Sequence, residues 1–287
     1  MTVGTGRLVL CSTPIGNLED VTLRVLRVLR ACDVIFAEDT RVTLGLLRHF
    51  GIEKPLRSFH ERVEPQRLRE LRALLAEDKT VAMVSDAGTP GISDPGAQLV
   101  RAAREVGAHV EALPGPSALL DAAVLSGFDV ARFRFDGYPP RKSGARRAYL
   151  RSLADEPVAI VWYEAPTRVV GLLDDVARLL PERRVFVLRE HTKLFEQQVV
   201  GRAADAAAQL ERPARGEFTI VLEGRHATRD GPPSVPENVR DAIATLIDRG
   251  ASVRVATESM RLATGLPKSA LYKVAQELKE QASRSAR

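Results

Sequence analysis

Short apolar runs alternate along the chain with longer stretches whose apolar residues recur every three or four positions. The runs at 7–12 (RLVLCS), 33–37 (DVIFA), 56–59, 81–84 (VAMV) and 109–113 predict strands. The stretches at 21–31, 43–50, 64–76, 95–106 and 118–125 predict helices, with Gly51, Gly107 and Gly127 as stops. Strand and helix take turns throughout, so the sheet is expected to be mostly parallel. From about residue 130 the alternation resumes. Strands are predicted at 134–137, 158–163 (VAIVWY), 185–189, within 190–201 and at 218–222, with helices at 169–180 and 203–210. The pattern describes two comparable α/β halves, 1–127 and 128–225. Residues 226–236 have no apolar face, are rich in glycine and proline, and read as a linker. Helices near 237–248, 252–263 and 268–281 then make a small helical domain, 237–287.

The stretch VAMVSDAGTPGISDPG, 81–96, organises the first half. Strand, glycine-rich loop and helix is the order by which an open α/β sheet presents a ligand at a strand's carboxyl end. Asp94 and Pro95 suit an N-cap and first helical residue. The loop is longer than a plain connection needs, so it is either an ornate turn or a binding loop. Gly88 and Gly91 admit close backbone approach, and Asp86 can hold a cationic or hydroxyl-rich group. No lysine follows the glycines, so this is not a Walker-type phosphate loop.

Three further loops follow strands of the same half. TPIGN, 13–17, ends in Asn17 and is a turn by default. Glu38, Asp39, Thr40 and Arg41 suit the orientation and deprotonation of a hydroxyl. The same residues also suit a helix start with Thr40 as the cap. PGPS, 114–117, carries Pro116 and Ser117 into a helix that begins at Ala118. In the second half, YEAPTR places Tyr163 and Arg168 at a strand end. Tyr163 can stack on a base or close the edge of a core, and Arg168 can pair with phosphate. Arg141, Lys142, Arg146, Arg147 and Arg151 fall within eleven residues with no acid between them, beside Tyr138 and Tyr149. That segment is a phosphate-binding strip or a solvated basic helix. Helix, turn at Gly265 and a second helix bearing Lys268 and Lys273 have the outline of a helix-turn-helix.

Composition narrows the classes. The 287 residues are 45% hydrophobic, with formal net charge +5 and a pI near 9.5, which favours a polyanionic partner. No run is long enough to span a bilayer and the N-terminus lacks a signal-peptide pattern, so a cytoplasmic location without membrane attachment is expected. Cys11 and Cys32 lie in apolar surroundings and read as buried thiols. The five histidines, at 49, 60, 109, 191 and 226, show no ligand spacing, and no metal is expected.

Taken together and in this order, TPIGNLEDVT, AEDTR, VSDAGTPGISDPG, PGPSA, FDGYPPRK, YEAPTR and REHTKLFE resemble the ribosomal RNA small subunit methyltransferase I family, the 16S rRNA cytidine 2′-O-methyltransferases of the tetrapyrrole methylase superfamily. The resemblance covers residues 8–224 and extends to the helical appendage. It implies two α/β domains of the class III methyltransferase type with a cleft between them, plus a small C-terminal helical domain. It implies S-adenosyl-L-methionine as cofactor, and 16S rRNA or the small ribosomal subunit as partner. A homodimer is implied as well. The cofactor positions it implies are Asp86, Ala87, Gly88, Thr89, Pro90, Ile92 and Ser93, then Pro116, Ser117 and Ala118, then Tyr163, Glu217 and Phe218. Related tetrapyrrole methylases read Gly-Asp-Pro where this chain reads Gly88, Thr89 and Pro90, which leaves Asp86 as the acid in that loop. Glu38 and Asp39 beside Arg41 are the expected catalytic group, with Asp86 behind them. Asn17, Arg141, Lys142, Arg146, Arg147, Arg168, Lys268 and Lys273 are the expected RNA contacts. Two alternatives stand behind this expectation: a precorrin-type tetrapyrrole C-methyltransferase and a non-enzymatic nucleic-acid-binding regulator. The basic segment and the glycine-poor first loop weigh against the former. The length of chain invested in strand-end loops weighs against the latter.

Overall fold

The first strand, β1 (Arg7–Cys11), has no polar residue between Leu8 and Cys11, and all four of these side chains are buried. A strand buried on both faces belongs in the middle of a layered sheet. In the computed structural model, which describes residues 6–59, 64–93, 96–225 and 235–285, β1 has that position. The elements that follow are α1 (Leu23–Ala31), β2 (Val34–Ala37), α2 (Thr40–His49), β3 (Leu56–Ser58), α3 (Glu64–Ala76), β4 (Thr80–Val84), α4 (Ala97–Glu105) and β5 (His109–Leu113). The strands pair in the order β3-β2-β4-β1-β5, all parallel. Alternate residues of each strand serve opposite faces. Leu8, Leu10, Phe36, Val81 and Met83 pack with α3 and α4. Val9, Cys11, Ile35, Ala37, Ala82 and Val84 pack with α1 and α2. Both thiols are free and buried, and burial pushes Cys11 up to about 12 and Cys32 up to about 11, so neither is a nucleophile.

Helix α4 begins at Ala97 with Gly96 as its N-cap. The expected cap and first residue, Asp94 and Pro95, lie outside the described residues, as do His60 and residues 226–234 of the expected linker.

The next helix, α5 (Ala118–Leu125), follows β5 yet does not cover the first sheet. Leu119, Ala122 and Ala123 are buried against Ala159, Val161, Phe186, Leu188 and Val221 of a second sheet. Helix α5 therefore packs on the second sheet although it directly follows the last strand of the first. The second sheet is built from β6 (Phe133–Phe135), β7 (Ala159–Glu164), β8 (Arg184–Arg189), β9 (Gln197–Arg202) and β10 (Phe218–Leu222). On its other face lie α6 (Ser143–Ser152), α7 (Pro166–Leu179) and α8 (Ala203–Gln209), around Trp162, Ile220, Leu172 and Val176. Its order is β6-β7-β10-β8-β9. Only β6 and β7 are parallel, while β10 runs antiparallel to both neighbours and β9 antiparallel to β8. The second sheet is thus mixed, where the alternation of strand and helix predicts a mostly parallel one. Apolar runs of the same length enter either kind of sheet, and the short connection after β8 turns it into a hairpin with β9.

The contacts divide the chain into two compact units, Met1–Arg225 and His226–Arg287. The second holds α9 (Glu237–Asp248), α10 (Val253–Thr264) and α11 (Lys268–Ser285) around Val239, Ile243, Ala256, Leu271 and Ala275. Gly265 ends α10 in the left-handed conformation, as a helix C-cap favours. No helix among the described residues is long and apolar enough to cross a membrane.

Candidate active site

All strands of the first sheet point the same way, so the segments after β1, β2, β4 and β5 emerge along one edge. They are tied to one another. Thr13 and Gly88 exchange backbone hydrogen bonds of 2.9 and 3.0 Å, and the Thr13 hydroxyl donates to Ser85 O at 3.1 Å. The Ser12 hydroxyl donates to Leu113 O at 3.0 Å and meets the Thr89 hydroxyl at 3.1 Å. Gly115 sits so close to Ser12 that a Cβ there would lie 2.6 Å from the Ser12 Cβ. The first, third and fourth loops thus form one hydrogen-bonded ledge.

The second loop supplies the carboxylates. Asp39, not Thr40, caps α2, accepting from Arg41 N at 2.8 Å. The same carboxylate holds the Arg41 guanidinium at 3.0 and 2.5 Å. Those side-chain hydrogen bonds, followed by the backbone ones, take Asp39 down to about 2. A carboxylate so occupied is less suited to take a proton than its neighbour Glu38. Arg41 is spent on Asp39 and otherwise exposed. Glu38 behaves oppositely: burial, then the negative charge of Asp86, raises it above its ordinary value. Asp86 is itself placed by accepting from Asp39 N at 2.9 Å.

Glu38 and Asp86 line a pocket of about 370 Å³. The first half contributes Ile15, Ala87, Gly88, Thr89, Ile92, Ser93, Ser117 and Ala118 to it. The second sheet contributes Tyr138, Tyr163, Glu164, Leu188, His191, Gly216, Glu217, Phe218 and Thr219. Of the expected cofactor residues, Pro90 is buried within the loop and does not line the pocket, and Pro116 lines an adjoining cavity. The Tyr163 ring meets those of Phe135 and Tyr138 edge-on, at 5.0 and 6.0 Å between centroids. Glu217 turns its carboxylate outward to Lys193 at 2.9 Å. Gly216 has φ +89°, and a Cβ on it would lie 2.4–2.7 Å from the Glu190 side chain. That carboxylate accepts from Glu217 N at 2.9 Å and from Lys193 Nζ at 3.0 Å, bracing the wall from behind.

Several expected RNA contacts face inward instead. Arg146 gives its guanidinium to Asp175 at 2.9 and 2.7 Å and to Gly171 O; Asp175 is buried and Arg146 is largely covered. Arg168 donates to Pro139 O at 2.6 Å and to the fully buried Glu164 carboxylate at 3.0 Å. Burial raises Glu164, and its hydrogen bond from Ala165 N opposes the rise. The Asn17 side-chain oxygen accepts from Glu19 N at 3.0 Å and caps a short 3₁₀ turn, Leu18–Asp20. All three are consumed by local structure. Arg141 and Lys142 are exposed, and Arg147 is partly so while donating to Ser143 O. Lys268 and Lys273 are exposed on α11 of the second unit. His191 and Glu164 line the pocket without having been singled out, although both stand at or just past the ends of predicted strands. Among the described residues, no group of three or more His, Cys, Asp or Glu is placed to hold a metal ion.

Residues 7–207 match the family described as tetrapyrrole (corrin/porphyrin) methylases. The chain is 46% identical over 221 residues to a ribosomal RNA small subunit methyltransferase I of Thermotoga maritima, covering 77% of this chain and 99% of that one. That relative is thus about as long as the first unit alone. Identity is 42% to the protein of the same name from Synechocystis sp., covering 95% of this chain and 98% of that one. It is 40% to the one from Escherichia coli O157:H7, covering 95% of each. Among solved structures, the methyltransferase CobJ matches with TM-score 0.58 at 20% identity, over 79% of this chain and 98% of that one. A uroporphyrin-III C-methyl transferase from Thermus thermophilus, complexed with S-adenyl homocysteine, matches with TM-score 0.53 at 23% identity, over 76% and 97%. At these identities the structures share the fold.

Proposed function

This chain belongs to the ribosomal RNA small subunit methyltransferase I family, within the tetrapyrrole methylases, and on that premise we propose that it methylates a cytidine ribose of 16S rRNA at the 2′-oxygen, with S-adenosylmethionine as donor. The observation that carries the chemistry is Glu38, a carboxylate raised by burial and by Asp86 in a pocket walled by both sheets. When bound, S-adenosylmethionine supplies an electrophilic methyl group on a sulfonium cation.

The pocket suits such a cation. Glu38, Asp86 and Glu164 line it, and Tyr138 and Tyr163 offer aromatic faces. Asp86, Ala87, Gly88, Thr89, Ile92 and Ser93 make one wall in this reading. Ser117, Ala118, Tyr163, Glu217 and Phe218 make the others. Ile15, Ile92 and Leu188 exclude water. Glu38 accepts the proton of the attacking hydroxyl, and a positioned general base is worth roughly 10²–10⁴ in rate. Asp86 keeps Glu38 protonatable and holds the Asp39 peptide, while the Asp39/Arg41 pair starts α2 and fixes the loop. Arg141, Lys142 and Arg147, with Lys268 and Lys273, supply phosphate contacts. The protein works in the cytoplasm as a homodimer, and the exposed Leu194 and Phe195 are apolar positions that a second copy would cover.

Label from S-adenosylmethionine should enter small-subunit rRNA only when purified protein is added. Primer extension at low nucleotide concentration should then stop at one cytidine. Transfer to a porphyrin-type acceptor but not to RNA would overturn the substrate, and no calorimetric binding of S-adenosylhomocysteine would overturn the activity altogether.

A further inference from the structure

A second cavity of about 530 Å³ opens beside the pocket and shares Ile15 and His191 with it. That is the size of a small-molecule site. Ile15, Pro116, Val124 and Leu125 make its apolar sides. Its acids are Asp20, from the 3₁₀ turn after TPIGN, and Asp121, from α5. Asp121 is answered by His191 Nε2 at 3.3 Å, while Nδ1 of the same ring meets Glu196 at 2.9 Å. His191 is thereby fixed as part of the partition between the cavities. Asp20 is not answered. Its Oδ2 is shut off from solvent, and no described group donates to it. An acceptor buried without a donor is costly, more so when charged, and calls for a partner.

We propose that this cavity receives the base of the acceptor nucleotide, and that Asp20 selects a base with an exocyclic amine. The proposal rests on the RNA reading above. Cytosine N4 carries two donors on its pairing edge, and a carboxylate is their natural acceptor. Asp20 already lines the cavity, and a rotation of its side chain is needed to bring Oδ2 to a bound base. Uracil offers an oxygen at the same position, which the carboxylate repels. The apolar sides suit the faces of a ring, and neither acid invites a phosphate. A base seated there brings its ribose to the junction at Ile15, on the side where Glu38 waits.

The test uses the full chain and small subunits reconstituted on 16S transcripts that carry cytidine or uridine at the methylated position. The wild type should prefer cytidine. Asp20→Asn should lower kcat/KM on cytidine by about 10- to 100-fold and narrow or invert the preference, because its amide can donate to uracil O4. Asp20→Ala should lose activity without inverting it. Val124→Trp, which fills the cavity, should lower activity on RNA. Calorimetric affinity for S-adenosylhomocysteine should be unchanged in all three, and the Asp20 variants should melt no lower than the wild type. Full cytidine preference and kcat/KM in both Asp20 variants would overturn the proposal. So would a shift of the wild-type dimer to monomer in sedimentation of Val124→Trp, since a second copy would then be the occupant. A wild type inactive on either subunit overturns the RNA reading together with this one, whereas an active wild type with indifferent variants overturns only this one.

Discussion

The two sheets reach the pocket in different ways. In the parallel sheet β1, β2, β4 and β5 all end at the pocket edge, and their loops are joined by backbone and hydroxyl hydrogen bonds. In the mixed sheet β7 and β8 end there, but β10 begins there: Phe218 stands opposite Glu164 on one side and Arg189 on the other. The wall at 216–219 is therefore a strand start, and it is held by charge, through Glu190 and Lys193 behind it. A parallel sheet collects strand ends by its topology alone. An antiparallel strand inserted between two parallel ones lets a segment from the opposite kind of terminus join them. The parallel side carries the proposed base, and the mixed side carries a braced wall.

If that division is right, damage to each side has a distinct signature. The largest effect should come from Glu38→Gln, with kcat down about 10²–10⁴-fold and the calorimetric affinity for S-adenosylhomocysteine retained; wild-type kcat would remove Glu38 as base. Next comes Arg146→Ala on the mixed side. It leaves the buried Asp175 with only the more distant Arg147, at 3.8 Å, and should cost up to about 3–5 kcal/mol of stability, read from denaturant unfolding. Arg146→Ala as mild as a surface change would return Arg146 to the RNA contacts. Gly216→Ala should shift the braced wall: strain of about 1–3 kcal/mol at a positive φ predicts weaker S-adenosylhomocysteine binding, with kcat at saturating cofactor nearly kept.

The pH profile tests the coupling within the parallel side. Burial and Asp86 both favour neutral Glu38, so activity should fall on the acid side at a pH above the ordinary value of 4.5. Asp86→Asn removes the like charge, so the acid limb should move to lower pH. A limb that moves upward or stays would break the link between these carboxylates. Smallest of all, Arg141→Ala should leave unfolding unchanged and reduce the salt dependence of RNA binding by about one unit of slope.

Much of this was legible in the residues. The apolar runs located the strands of both sheets, and glycines marked several helix ends. Turn-forming clusters after β1, β2, β4 and β5 pointed to one edge. The motif set carried the family. The roles of individual charged groups were not legible in the same way. Glu38 and Asp39 are neighbours of the same chemistry, yet one is raised and the other taken down to about 2. The difference lies in what each faces across the loop. Arg141 and Arg146 belong to the same basic run, but only Arg146 turns to the buried Asp175, twenty-nine positions away. Asn17 and Arg168 were drawn off by near neighbours, Glu19 N and the Glu164 carboxylate, and Arg168 also by the distant Pro139 carbonyl.

The local pattern of apolar and turn-forming residues determined where the chain extends, coils and bends, because those preferences act over a few residues. It also determined that turn-forming loops would follow the strands of the parallel sheet along one edge. Tertiary structure alone decided that α5 crosses to the second sheet, that β10 enters antiparallel, and that Asp20 closes a second cavity without a donor. Strand pairing, burial and charge depend on groups brought together from far along the chain. Their strength is set by distance and dielectric in the folded molecule, which no short stretch of sequence contains.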